Sequence, residues 1–76
     1  MTAAKVREIM NAEPFRPFRF HLPSGAAVRV PHPDHIAISP TGRIVIVLGE
    51  SESETILDVG LIERIEMEAE RGNSAA

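Results

Sequence analysis

Two groups of side chains in this chain have the types and spacing to do chemistry. The first is cationic: Arg16, Arg19, His21 and Arg29. If residues 18–22 and 26–30 pair as a hairpin, Arg19 faces Arg29. Guanidinium groups so placed, with Arg16 and His21 nearby, could hold a phosphate or an acidic partner. The second group is His32, Asp34 and His35, two imidazoles and a carboxylate that suit a transition metal. Pro33 stiffens that stretch, the histidines lack helical spacing, and no fourth ligand can be named. A bend in which Asp34 caps local backbone N–H groups explains it as well. Catalysis has less to build on. The chain has no cysteine, no glycine-rich phosphate loop and no serine in a nucleophile elbow. A non-enzymatic protein without a cofactor is expected.

The elements that position these residues are organised around Pro14–Gly25, which holds all three phenylalanines, Phe15, Phe18 and Phe20. Phe18, Phe20 and Leu22 alternate with Arg19 and His21, the period of a half-buried strand. A three-residue turn, Pro23-Ser24-Gly25, sets Leu22 against Ala26, Phe20 against Val28 and Phe18 against Val30, with the apolar partners on one face. The same turn device at Pro40-Thr41-Gly42 would pair Ile38 with Ile44 and Ile36 with Ile46. Before the first strand, Ala3, Val6, Ile9 and Met10 form a helical stripe over about 3–12, with Thr2 as N-cap and Pro14 as the limit.

Further strands are expected at about 35–39, 43–48 and 54–59. Ile44–Leu48 is apolar on both faces, so Val45 and Val47 become candidates for an interface with the helix, a ligand or a second subunit. Residues 61–71 fit either a helix or a strand. A strand over 62–68 is preferred, because Glu66, Glu68 and Glu70 would crowd the negative end of a helix. It would lie beside the first strand and offer Glu66 and Glu68 to Arg19 and Arg29. Residues 72–76 read as a loose tail after a single domain, 1–71.

The fold class expected is mostly β (α+β): an N-terminal helix, then a small, strongly bent five- to six-stranded antiparallel sheet or partly closed barrel. A chain of 76 residues buries a small core and gains from a partner subunit, so a homo-oligomer is expected. The net charge of -3 argues against general nucleic-acid binding. The first 43 residues are basic and the remainder acidic, which suits two halves lying side by side. No stretch is long and apolar enough for a membrane span, no signal peptide is evident, and cytoplasm is the expected compartment.

Residues 14–25 read PFRPFRFHLPSG, followed by His32-Pro33-Asp34, Ile56-Leu57-Asp58-Val59 and Ile62–Glu66. Over about residues 5–67 this resembles a family of short, uncharacterised bacterial proteins with a PFxPFxxxLxxG start and a later HP[DE]. The resemblance implies no activity. The element order is also similar to Sm-like and SH3-like small barrels. That likeness implies ring assembly by strand contact and, through an Arg16/Arg19/Arg29 surface, RNA binding as the alternative function. The chain departs from the Sm pattern in lacking an Asn after Asp34 and a Lys-His pair before the last strand. Both departures argue against RNA.

Overall fold

The computed structural model describes residues 1–49, 51 and 53–69. The tail expected at 72–76, and Glu50 and Glu52 of the acidic loop, lie outside the described residues. Helix α1 spans Ala3–Met10 and is followed by six strands: β1 (Phe18–His21), β2 (Ala27–Val30), β3 (Ile36–Ile38), β4 (Ile44–Leu48), β5 (Glu54–Asp58) and β6 (Arg64–Met67). They form two three-stranded antiparallel sheets, ordered β2-β1-β6 and β3-β4-β5, which do not close into a barrel. The fold is thus mostly β with one N-terminal helix.

Helix α1 begins where Thr2 Oγ1 accepts the Lys5 N–H at 3.2 Å, as a threonine N-cap should. Eight residues are too few to be helical alone, so docking holds it. Val6 is fully buried, and Ile9 and Met10 pack against the core. The helix N-terminus rests on the β3–β4 turn, where Arg7 Nη2 reaches the Ser39 carbonyl at 3.5 Å.

The first hairpin has the register its turn implies: Phe18↔Val30, Arg19↔Arg29, Phe20↔Val28 and His21↔Ala27. Leu22 N–H donates to the Ala26 carbonyl at 3.0 Å, and Gly25 takes φ +95° in the turn. Phe18 and Phe20 are fully buried and meet edge to face, 5.2 Å between centroids.

The second hairpin departs from expectation by one residue. Ile36 pairs with Val47, Ala37 with Ile46 and Ile38 with Val45. The Ser39 hydroxyl is the physical reason. Its Oγ accepts the N–H groups of Arg43 and Ile44 at 3.2 and 3.1 Å, while Ser39 N–H donates to the Ile44 carbonyl at 2.8 Å. Arg43 thereby joins the loop, which becomes a four-residue connection. Val45 and Val47 turn inward, 0% and 2% exposed, so they belong to the monomer's own core and are not an interface. Their strand neighbours Ile46 and Leu48 face out.

A 3-10 turn at Pro33–His35 carries the chain from one sheet to the other, and a second at Val59–Leu61 carries it back. Asp58 Oδ1 caps the second by accepting the Gly60 N–H at 2.8 Å. The ambiguous C-terminal segment is a strand: β6 lies antiparallel to β1, with Phe20↔Ile65 and Arg19↔Glu66. Inner-face residues of both sheets, with Val6, Val59 and Ile62, form one cluster, and among the described residues no polar side chain is buried.

Two glycines in the left-handed region separate backbone strain from close approach. A Cβ at Gly25 meets nothing within 4 Å, whereas one at Gly42 (φ +77°) lies 2.7 Å from the Ala3 Cβ. Gly25→Ala is expected to cost about 1 kcal/mol, from conformation alone. Gly42→Ala should cost about 2–3 kcal/mol, because the helix must also shift. Urea unfolding of the two variants checks the difference, and equal losses would show that the helix is not seated on this turn.

Candidate functional site

Alternation in sheet β2-β1-β6 puts Arg19, His21, Arg29, Arg64 and Glu66 on the outer face. Glu68, just past β6, joins them. Its backbone N–H donates to the Pro17 carbonyl at 2.9 Å, continuing the ladder by one residue. Arg29 forks onto the Glu68 carboxylate, Nε to Oε2 at 2.6 Å and Nη2 to Oε1 at 3.1 Å. Arg19 Nη1 lies 3.6 Å from the same Oε2. Arg16 takes the other end of the residue: its Nε and Nη2 donate to the Glu68 carbonyl at 3.2 and 2.7 Å. A single glutamate therefore gathers all three arginines. Its side chain is 20% exposed, against about 40% for Arg19 and Arg29, so the ion pairs are half-shielded from water.

His21 completes the face, with Nε2 2.8 Å from Glu66 Oε1. This hydrogen bond, assisted by the charges of His21, Arg64 and Arg19 and opposed by some desolvation, holds the Glu66 carboxyl below its ordinary value. The expected cation cluster is thus brought together as drawn from sequence, but with carboxylates from the acidic half interleaved. The two oppositely charged halves meet here, within one chain.

The His32, Asp34 and His35 group is arranged differently from a metal centre. The two rings stand 5.8 Å apart at their centroids, and His35 Nδ1 is committed to the Leu48 carbonyl at 2.8 Å. Among the described residues no three His, Asp or Glu side chains converge on a metal position. Asp34 makes no cap of the kind expected, and the turn is closed instead by His35 N–H donating to the His32 carbonyl at 3.0 Å. A shallow cleft of about 370 Å³ beside it is lined by Asp34, His35, Leu48, Gly49 and Glu54.

The second surface is the apolar outer face that sequence reasoning assigns to Val45 and Val47, and the structure builds it from other residues. The outer face of β3-β4-β5 carries Ala37, Ile46 and Ile56 in one cross-strand row, flanked by Ile44 and Leu48. Ile46, Leu48 and Ile56 are 37%, 42% and 62% exposed. The signal was present in Glu54–Asp58, where Thr55 and Leu57 alternate with Ile56, leaving Ile56 with the acidic residues on the outer side. Among the described residues no helix is long and apolar enough to cross a membrane.

These features define a small α+β domain with an internally ion-paired charge cluster, still net cationic, on one sheet and an uncovered apolar face on the other. Comparison with protein-family models, curated proteins and solved structures gives no significant match.

The lowered Glu66 carboxyl fixes a sign for pH dependence. A group with a depressed folded-state value stabilises the fold fully above its unfolded value and loses that contribution as pH falls. Glu66→Gln should therefore lower the melting temperature near neutral pH. The wild-type advantage should shrink as pH drops through 4.5 and below. Melting curves of both proteins from pH 7 to pH 3 check it, and a difference that is constant with pH would show that the His21 contact is not charge-assisted.

Proposed function

We propose that this chain is a non-catalytic assembly module, which self-associates through the outer face of β3-β4-β5. The observation that carries the reading is the exposed pair Ile46↔Ile56, with Leu48 beside it, on a sheet whose other face already forms the core. A domain this small leaves a sheet apolar on both faces at a cost in solubility, which a covering partner offsets. The occupant that fits is a second copy. The apolar row lies at the centre, and Glu54 and Asp58 lie at the rim, as in protein interfaces generally. Five residues each on β4 and β5 and three on β3, with strands about 4.8 Å apart, make a face of at most about 14 by 17 Å. Two such faces stacked remove on the order of 500 Å² from water, the size of a weak contact.

The alternative implied by the Sm-like resemblance, RNA on Arg16, Arg19 and Arg29, has less support. Phosphates would have to displace Glu68 from two guanidinium groups and accept Glu66 as a neighbour. The compartment expected for the chain, the cytoplasm, adds nothing to either reading.

Light scattering after size exclusion, on nuclease-treated protein at low and high salt, tests the proposal. An oligomer that survives high salt, and whose mass falls in Ile56→Lys without loss of the folded spectrum, is the expected result. A monomer at both salts, or an Ile56→Lys protein of unchanged mass, would contradict the use of this face. Oligonucleotide binding that weakens steeply with salt would favour the RNA reading instead.

A further inference from the structure

We infer that the free edge of β6 is a second, symmetric joint, at which β6 pairs antiparallel with β6 of another copy to make a continuous six-stranded sheet. The inference rests on the assembly reading above and names a surface that reading does not use.

The edge is open and correctly phased. Among the described residues β6 pairs only with β1, so its other side offers unpaired backbone groups. Glu68 N–H points at β1, where it meets the Pro17 carbonyl. Alternation then sends the N–H and C=O groups of Arg64 and Glu66 toward β1 as well, and those of Ile65 and Met67 outward. These outward groups form the reciprocal hydrogen-bonded pair of an antiparallel ladder when Ile65 stands opposite Ile65 of the second copy.

Side chains select that register. A slip of one residue would set inner-face positions against outer-face ones. With Ile65 on Ile65, Arg64 of each copy lies opposite Glu66 of the other, on the exposed face, so two complementary charge pairs form about one twofold axis. Centring instead between Ile65 and Met67 places Glu66 against Glu66, with Arg64 opposite a Glu68 carboxylate already held by Arg29, and centring on Met67 places Glu66 against Glu68. Both oppose like charges. Glu66 has one carboxylate oxygen on His21 and a side chain that is 49% exposed, so it can still accept a guanidinium.

The other edges are poorer templates. Pro31, Pro33 and Pro40 bracket β2 and β3, and β3 has only three residues. The outer edge of β5 has no proline, but its symmetric pairing about Ile56 would set Glu54 against Asp58 twice. Along this edge of β6 runs a groove of about 520 Å³, lined by Met1, Lys5 and Ile9 on one side and by Glu63, Arg64, Ile65 and Met67 on the other. Residues opposite one another in a sheet share a face, so Ile65 of the second copy enters this groove.

Amide hydrogen exchange on the wild-type protein, dilute and concentrated, reads the joint directly. Ile65 and Met67 amides should slow by about tenfold or more on concentration, while Glu66 and Glu68 amides, already bonded to β1, stay slow throughout. Arg64→Glu and Glu66→Lys should each lose mass by light scattering, and an equimolar mixture of the two should regain it, since the mixed pair restores both attractions. An oligomer in which Ile65 and Met67 exchange fast at every concentration, or in which protection appears on β5 amides, overturns the β6 joint and leaves the assembly reading standing. A monomer at all concentrations overturns both.

Discussion

Arg19 directly opposite Arg29 is the constraint on which half of this molecule depends. Two guanidinium groups facing each other across a strand pair repel, and a hairpin so built is unfavourable by itself. The chain answers with a strand brought from its other end. β6 lays Glu66 beside Arg19 and places Glu68 between Arg19 and Arg29, with the Glu68 carbonyl taking Arg16. The N-terminal hairpin is therefore complete only when the C-terminal strand has docked. Because Phe18 and Phe20 sit on the underside of that hairpin, the arrangement of the core and of the charges is decided in the same event.

The two sheets solve opposite problems. Sheet β2-β1-β6 has a clean inside and outside: aromatic and aliphatic groups below, partly compensated charges above. Sheet β3-β4-β5 must place five consecutive apolar residues, Ile44–Leu48, and can bury only alternate ones. The Ser39 hydroxyl decides which, by capping two turn N–H groups and pulling Arg43 into the loop. Val45 and Val47 go in, and Ile46 and Leu48 are left out with Ile56. The apolar outer face is the consequence of a strand with more apolar residues than a small core can take. It is also what the assembly reading builds on.

The first hairpin was legible in the sequence because Phe18, Phe20 and Leu22 alternate strictly and Pro23-Ser24-Gly25 admits one register that keeps charge out of the core. The opposition of Arg19 and Arg29, and the carboxylates that resolve it, followed from the same pattern. The second hairpin was not legible, because Ile44–Leu48 offers no alternation to choose between registers, and a side-chain hydroxyl made the choice. That one-residue shift moved the exposed face from Val45 and Val47 to Ile46 and Leu48. The strand at Arg64–Met67 could be preferred over a helix only through the acids that would crowd a helix end. The open edge of β6 could not be seen until both sheets had an order.

The claim that the arginine cluster is a structural lock between the two ends of the chain is tested most directly by a double-mutant cycle on Arg29→Met and Glu68→Gln. Urea unfolding of the wild type, the two single variants and the double variant gives the coupling. A favourable coupling of about 1 kcal/mol or more is expected for a forked, half-shielded pair. A coupling near zero would contradict the account and return Arg16, Arg19 and Arg29 to the role of a surface held ready for an anionic partner.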